Sequence, residues 1–231
     1  MSNLSLTKRE NISTVLRNNR LVIAGELLFV TIVQVLEVWD FPSIFVLFPF
    51  SWGSLWLRKD GWRDVGLRRP ASWPRTIGIG VIAGAVNALI ALWLIGPLVD
   101  RLGGGKEDLS QYESLSGNIP VLIVWILIGW IIGGFVEEMV YRGYLLNRIA
   151  GLFGQNRAGW VIGLLVSSAF FALGHIYLGV SGIIQTFFEA CFWAALYLAD
   201  RRNLWLPIIG HGITNTIAFI LMYFGLYPGI S

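Results

Sequence analysis

The sequence predicts an all-α protein, a polytopic bundle of about seven transmembrane helices. Hydrophobic residues make up 55% of the 231 residues, whereas charged residues make up only 13%. A soluble domain has about 25% charged residues, so the composition argues against an ordinary soluble protein. The apolar residues also gather in long runs that are separated by charged or glycine-rich loops.

Each apolar run is long enough, or nearly so, to be a membrane span, which needs about 20 mostly apolar residues. On this criterion spans are predicted near residues 21–39, 41–57, 76–98, 119–141, 158–179, 182–199 and 204–226. The second run is short and holds Pro42 and Pro49, so we expect a kinked or tilted helix. The fourth should continue past the membrane surface, because only Gly143 interrupts it before Gly151.

The domain organisation follows from the same runs. Residues 1–20 are polar, and no small-residue cleavage site follows the first apolar run, so we expect a segment that is not a cleaved signal peptide. The remainder, residues 21–231, is expected to form one transmembrane helical domain.

The orientation of the bundle is predicted by its basic residues. With seven spans, 15 of the 17 Lys and Arg residues fall on one side, including those of the N-terminal segment and of loop 58–75. The other side receives only Arg101 and Lys106. By the positive-inside rule the N-terminus is cytoplasmic and loop 99–118 is outside. The net charge of +3 therefore reflects loop placement, and no nucleic-acid partner is expected. A bacterial cytoplasmic membrane is the expected location.

Titratable residues inside the apolar runs are the candidates for function, because such groups are costly in hydrocarbon. Glu137 and Glu138 are adjacent in the fourth run. Glu138 precedes Arg142 by four residues, the favoured order for an ion pair on one helix face. Glu137 points about 100° away and is left free. The alternative is a helix-end salt bridge with a Glu that extends to the surface.

Both histidines of the chain also lie in apolar runs. His175 follows Phe171 by four residues, and it could simply donate to a backbone carbonyl. His211 and Asn215 are four apart, so they share one face of the last span. Their alternative role is interhelical hydrogen bonding. A glutamate with two histidines is also the combination that can activate a water molecule.

Three spacings together resemble the CPBP family, the CAAX-protease and bacteriocin-processing group of intramembrane proteases. The motifs are Glu-Glu-x-x-x-Arg, Phe-x-x-x-His and His-x-x-x-Asn, and they occur in the family order. Here their residues are Glu137, Glu138, Arg142, Phe171, His175, His211 and Asn215. The resemblance covers roughly residues 60–220, with the protease motifs within 119–226, and it implies an intramembrane endopeptidase.

Water is the expected nucleophile. No Ser or Cys is paired with a base, since Cys191 has no candidate partner nearby and Ser167 and Ser168 lie two helical turns from His175. Glu137 would be the general base, and His175 would orient or share the water.

The remaining motif residues would stabilise charge. His211 and Asn215 would donate hydrogen bonds to the developing oxyanion, and Arg142 would neutralise Glu138.

A metal ion is the alternative. Glu137, His175 and His211 have the ligand types of a catalytic zinc site with one open position. The His-Glu-x-x-His signature is absent, so no local motif fixes a zinc geometry. The resemblance supports both a metalloprotease and a metal-free glutamate protease, and we favour the metal-free mechanism.

The expected partners are the lipid bilayer and a membrane-associated or lipid-modified peptide, cut near the cytoplasmic face. For His175 and His211 to meet, the fifth helix should begin with an interfacial segment, and the cavity should open toward the cytoplasm. Glu26 is expected to extend to the membrane surface, whereas Glu189, in the middle of the sixth run, has no assigned partner.

Two other functions remain open. A non-catalytic immunity or scaffold protein would bind a partner without needing a base or oxyanion donors. A proton-coupled transporter would use Glu137, Glu138 and Glu189 as a relay, but no internal repeat of the kind many transporters show is visible.

Overall fold

A computed structural model describes residues 8–36 and 42–229, with only the backbone described for residues 8–12. Eight helices and two short 3₁₀ turns occur in this part of the chain, and no strand does. The predicted all-α class is confirmed. The last residues of the first predicted span, 37–39, and the first seven residues of the chain lie outside the described ranges. The helices are α1 (Lys8–Asn18), α2 (Arg20–Val35), α3 (Ile44–Leu57), α4 (Trp73–Arg101), α5 (Ile119–Leu152), α6 (Arg157–Leu173), α7 (Gly179–Ala199) and α8 (Trp205–Tyr223).

Seven of these helices, α2 to α8, lie where the seven apolar runs are. Among the described residues, four helical segments are both long and apolar enough to cross a membrane, namely α4, α5, α8 and α7 with the 3₁₀ turn before it. The other three contain 16, 14 and 17 residues. At 1.5 Å per residue they are about 21–26 Å long, shorter than the ~30 Å hydrocarbon core. Length therefore supports four of the seven predicted spans.

Helix α5 contains 34 residues, which corresponds to about 50 Å. It therefore extends beyond one membrane thickness, as predicted. Two stretches within it, Gly129–Glu137 and Met139–Leu145, are wound as π-helix. Such winding is rare and is frequent at functional sites. Both acidic residues of the first motif lie in or directly between these stretches.

Glycines allow the helices around this region to approach closely. A Cβ atom at Gly134 of α5 would lie 3.0 Å from the carbonyl oxygen of Ile208 in α8. A Cβ at Gly84 of α4 would lie 2.5 Å from the carbonyl oxygen of Gly210. Small residues at these positions let helix backbones contact each other, as is common in membrane bundles.

Helix α6 begins beside the end of α5. A Cβ at Gly163 would lie only 2.8 Å from the carbonyl oxygen of Leu146. Because α5 is longer than a membrane is thick, the first turns of α6 pack beside its extension. The interfacial start expected for the fifth helix stays a prediction.

The predicted helix over residues 158–179 ends early. Helix α6 stops at Leu173, and His175 lies in the turn that follows it. Gly174 caps the helix, and Gly179 adopts a left-handed conformation with φ of 74° that directs the chain into α7. The prediction that His175 lies within a helix is therefore wrong, because glycines on both sides of it end the helical path.

Glu26 does not extend to the surface, contrary to prediction. Its Oε1 accepts a hydrogen bond from Ser54 Oγ at 2.5 Å, and its Oε2 accepts one from Arg148 Nε at 2.6 Å. Arg148 is itself buried. A buried arginine needs a counter-charge, so Glu26 turns inward and connects α2, α3 and α5.

Candidate active site

A cavity of about 260 Å³ brings the three motifs together. Glu137 from α5, His175 from the turn before α7, and His211 and Asn215 from α8 all line it. The two other predicted site residues, Glu138 and Arg142, lie behind this surface and are fully buried. The structure therefore brings four of the six predicted site residues to one cavity and places the other two behind it.

Glu138 and Arg142 form the predicted ion pair. Arg142 Nη1 lies 2.9 Å from Glu138 Oε1, and the two side chains are only 1% and 0% exposed. Arg142 also donates from Nη2 to the carbonyl oxygen of Ala190 at 3.1 Å. Its guanidinium carbon lies 4.6 Å from the centre of the Phe171 ring. These contacts fix the arginine between α5, α6 and α7.

His211 is oriented by Glu138. Its Nδ1 donates to Glu138 Oε1 across 2.9 Å, so its Nε2 is the nitrogen left for chemistry. A Cβ at Gly133 would lie 3.7 Å from this Nε2. The Trp193 ring lies nearly parallel to the imidazole, with planes at 12° and centres 6.1 Å apart. The position and the tautomer of His211 are thus determined by neighbouring side chains.

His175 is held in the same way by a different acceptor. Its Nδ1 donates to the carbonyl oxygen of Phe171 at 2.9 Å. The imidazole also stacks on the Phe171 ring, with centres 4.6 Å apart and planes at 30°. The hydrogen bond to a backbone carbonyl, which was the alternative explanation for His175, is therefore present. It does not exclude function, because it leaves Nε2 unused on a residue that lines the cavity.

Glu137 is the free carboxylate that the sequence predicts. It is half-buried and lines the cavity. Among the described residues it has no hydrogen-bond or ion-pair partner at contact distance. Its neighbour Glu138 carries both charged contacts, so Glu137 remains available to a water molecule or a substrate.

Asn215 projects from the same face of α8 as His211. Its Nδ2 donates to the carbonyl oxygen of Gly129 at 3.1 Å. An amide nitrogen carries two hydrogens, so a second one remains for the cavity. A Cβ at Gly133 would lie 2.5 Å from this Nδ2. Because Gly133 has no side chain, the Asn215 amide can occupy this position.

The residue types in the cavity suit zinc, but their geometry does not form a ligand set. Among the described residues, no three His, Cys, Asp or Glu side chains lie close enough together to hold one metal ion. His175 and His211 are each held at Nδ1 by a different partner. The residues as placed therefore do not fit a preformed zinc site.

Glu189 belongs to the same cavity, and its partners were not predicted. Its Oε1 accepts hydrogen bonds from Asn87 Nδ2 at 3.1 Å and from Trp193 Nε1 at 3.2 Å. Asn87 lies in α4, about a hundred residues away in sequence. A buried asparagine in an apolar run was the available signal, but nothing local connects it to Glu189.

The cavity extends toward the end of the bundle that holds loop 102–118. Glu107, Tyr112 and Tyr227 line it there. Toward the basic end, the neighbouring turn of α5 is packed with fully buried side chains, including Tyr144 and Leu145. The prediction that the cavity opens toward the basic loops is therefore wrong, because the buried side chains of this α5 turn close the active-site cavity on that side.

Comparison with known proteins supports the reading of the motifs. Residues 119–217 match the family described as type II CAAX prenyl endopeptidase Rce1-like. This segment contains all three motifs. The predicted CPBP resemblance is confirmed. The four long apolar helices, together with this match, support an integral membrane protein whose residues 119–217 are similar to a peptidase family.

One curated protein to which the chain is similar is named "Putative membrane peptidase YdiL", from Bacillus subtilis (strain 168). It is 22% identical over 149 residues, which cover 63% of this chain and 58% of the relative. The match thus spans less than two thirds of the relative's length. No solved structure matches the chain.

Proposed function

We propose that the protein is an intramembrane endopeptidase that hydrolyses a peptide bond of a membrane-associated substrate with an activated water molecule. One observation carries the proposal. A carboxylate without a partner, Glu137, shares a cavity with the unused Nε2 atoms of His175 and His211 and with the amide of Asn215.

In the first step Glu137 acts as the general base. It removes a proton from water while the water oxygen attacks the scissile carbonyl carbon. His175 positions this water through Nε2, because its Nδ1 is already bonded to a backbone carbonyl. The proton then passes from Glu137 to the leaving nitrogen as the C–N bond breaks. Enclosure between helices excludes other water and strengthens these electrostatic interactions.

The oxyanion is stabilised from α8. Asn215 donates its second amide hydrogen, and His211 donates from Nε2 when its ring is protonated. Glu138 favours that protonated ring, because it accepts the hydrogen bond from Nδ1. Arg142 balances the charge of Glu138 from the other side. Glu138 and Arg142 are thus positioning residues that do not touch the substrate.

The other two candidate functions are disfavoured by the same contacts. A proton relay needs carboxylates that can exchange protons in sequence. Glu138 is fixed between Arg142 and His211, and Glu189 accepts from Asn87 and Trp193. A scaffold would not require two histidines that are each held at Nδ1 with Nε2 toward a cavity.

The substrate is proposed to be a peptide segment that reaches the cavity from the loop 102–118 end. In the predicted orientation this is the outer side of the membrane. The lipid bilayer is the second partner, and no nucleic acid is involved.

The test is cleavage of a peptide library by the purified protein, read by mass spectrometry. Wild type is expected to cut a defined set of peptides, and Glu137→Gln is expected to cut none while unfolding at the same temperature. Substantial cleavage by the variant would remove Glu137 from the role of base.

The same assay with a chelator decides the metal question. We expect wild-type activity to survive chelation. Stoichiometric zinc in wild type that disappears in both His175→Ala and His211→Ala, with loss of activity in chelator, would replace the metal-free mechanism with a metallopeptidase one.

A further inference from the structure

A second cavity lies at the basic end of the bundle. Its volume is about 460 Å³, and it shares no lining residue with the active-site cavity. It is formed by the end of α1, the start of loop 58–72, the last turns of α5 and the turn after α7. Its charged lining consists of Arg17, Arg58, Arg148, Arg202, Asp60 and Asp64. Four cations thus face two anions.

Two of the arginines already have their partners. Arg148 pairs with Glu26 behind the cavity and donates from Nη1 to the carbonyl oxygen of Arg17 at 3.2 Å. Arg17 Nη2 lies 2.8 Å from Asp60 Oδ1. These two ion pairs lie at the cavity wall. Because each arginine is balanced by a carboxylate, they add little net positive charge to the cavity.

Arg58 is buried but is not satisfied. It is only 4% exposed. Its Nε donates to the carbonyl oxygen of Ser54 at 3.2 Å and lies 3.8 Å from Asp60 Oδ2. Among the described residues no acceptor meets its two Nη groups, although the guanidinium lies over the Tyr144 ring at 5.6 Å.

The surroundings of Arg58 favour the binding of an anion. Burial, followed by the like charge of Arg148, lowers the pKa of the Arg58 guanidinium. Arginine nevertheless stays protonated in proteins. The two Nη groups of Arg58 are not sealed off inside the protein, so they can donate hydrogen bonds to an anion in the cavity that Arg58 lines.

Arg202 is the second arginine at this cavity with unused donors. Its guanidinium lies over the Trp160 ring at 5.0 Å, and no carboxylate within the described ranges pairs with it. Its backbone is left-handed, with φ of 62°, a conformation that a bulky residue adopts only when its surroundings enforce it. The side chain is exposed at the rim, where a ligand would enter.

We propose that this cavity binds a phosphate-bearing anion between Arg58 and Arg202. Guanidinium groups bind phosphate with paired N–H donors. The cavity is far larger than the ~30 Å³ that one water molecule occupies, so it accommodates a phosphodiester with a small head group. Basic pockets between transmembrane helices bind such head groups. The phosphate could belong to an anionic phospholipid or to a soluble phosphate compound. The proposal is independent of peptidase activity.

The test measures binding to the purified full chain in phosphate-free detergent by isothermal titration calorimetry. The two probes are dihexanoyl phosphatidylglycerol and inorganic phosphate. Saturable binding of the lipid, of phosphate or of both is expected, and the tighter ligand identifies the source. Arg58→Gln and Arg202→Gln should each weaken binding about tenfold or more, as expected for loss of a charge-assisted hydrogen bond.

Arg63→Gln is the matched control, because Arg63 is exposed in the same loop and does not line the cavity. It should bind like wild type. If Arg58→Gln does not fold, the exposed Arg202→Gln carries the test. Absence of saturable binding to either probe overturns the proposal. An equal loss in Arg63→Gln also overturns it, because binding would then follow net charge alone.

Discussion

Glu137 and Glu138 are neighbours in the chain with opposite surroundings. Glu138 has no exposed surface and is held by Arg142 and His211. Glu137 faces the cavity with no partner among the described residues. The difference arises from helix geometry, since adjacent residues point in different directions and only one can meet the side chain four positions later.

Removal of Glu138 is predicted to destabilise the protein. Glu138→Ala leaves the buried Arg142 without its counter-charge, which typically costs about 3–5 kcal/mol. The measurement is the free energy of unfolding in detergent. The double variant Glu138→Ala with Arg142→Met should regain much of the loss, because no buried charge is then left alone. A double variant as unstable as the sum of the single ones would contradict this explanation.

Asn215→Ala is predicted to lower kcat by about 10²–10³, with KM nearly unchanged. Loss of one oxyanion donor costs ~2.7–4 kcal/mol in the transition state. Steady-state kinetics on a peptide identified in the library decides the outcome. A large rise in KM with an unchanged kcat would instead assign Asn215 to substrate binding.

At the scale of single elements, the sequence predicted helix positions better than helix interruptions. The apolar runs located α2 to α8, and the four-residue spacing located the Glu138–Arg142 pair. The turn at His175 was missed, because apolar residues continue on both sides of Gly174 and hide the end of the helix. The π-helical winding of α5 was also missed, because it depends on packing against other helices and no sequence periodicity announces it.

The π-helical segment Gly129–Glu137 gives a prediction of its own. Gly133→Ala should sharply reduce turnover, because the new Cβ would lie 2.5 Å from Asn215 Nδ2 and displace that amide. The control is Gly78→Ala in α4, where a Cβ meets nothing within 4 Å. Both changes favour helix by about 1 kcal/mol, so only the first should alter kinetics. Wild-type turnover in Gly133→Ala would show that the amide position is not critical.

At the scale of the whole molecule, the distribution of basic residues predicts the orientation of the bundle but not the direction in which the cavity opens. The loops predict which end of the bundle is cytoplasmic, but they contain no information about where helices leave space. That depends on long-range contacts, such as the one between Asn87 and Glu189. The site residues were therefore predictable, whereas the end from which a substrate reaches them was not.

The access side can be measured without a substrate. Ala218 lines the active-site cavity, so Ala218→Cys in a Cys191→Ala background should react with a membrane-impermeant maleimide. Labelling is expected only from the side of loop 99–118, which the charge distribution places outside. A cysteine at Arg63 serves as the marker of the opposite side. Equal labelling of both cysteines from the cytoplasm would overturn the proposed route.

Glu107 gives the protein a predicted pH dependence. Burial raises the pKa of this loop carboxyl, and the hydrogen bond from Tyr227 opposes the shift. The folded protein therefore holds this proton at pH values where the unfolded chain has lost it, so stability should fall as pH rises above the ordinary value of about 4.3.

Thermal unfolding of Glu107→Gln between about pH 4 and about pH 7 tests the predicted pH dependence. The variant should match wild type at about pH 4 and be the more stable protein at about pH 7. Glu113→Gln, an exposed change in the same loop, should keep the wild-type profile. A wild-type slope that persists in Glu107→Gln would assign the pH dependence to another group.

The hydrogen bond between Tyr227 Oη and Glu107 Oε2, 3.1 Å long, joins two segments that are 120 residues apart. Both residues also line a neighbouring cavity of about 390 Å³ on the outer side of the first. A bulky group attached to Pro228 or Gly229 would therefore stand beside the proposed passage to the active site and obstruct it, although neither residue belongs to the catalytic motifs.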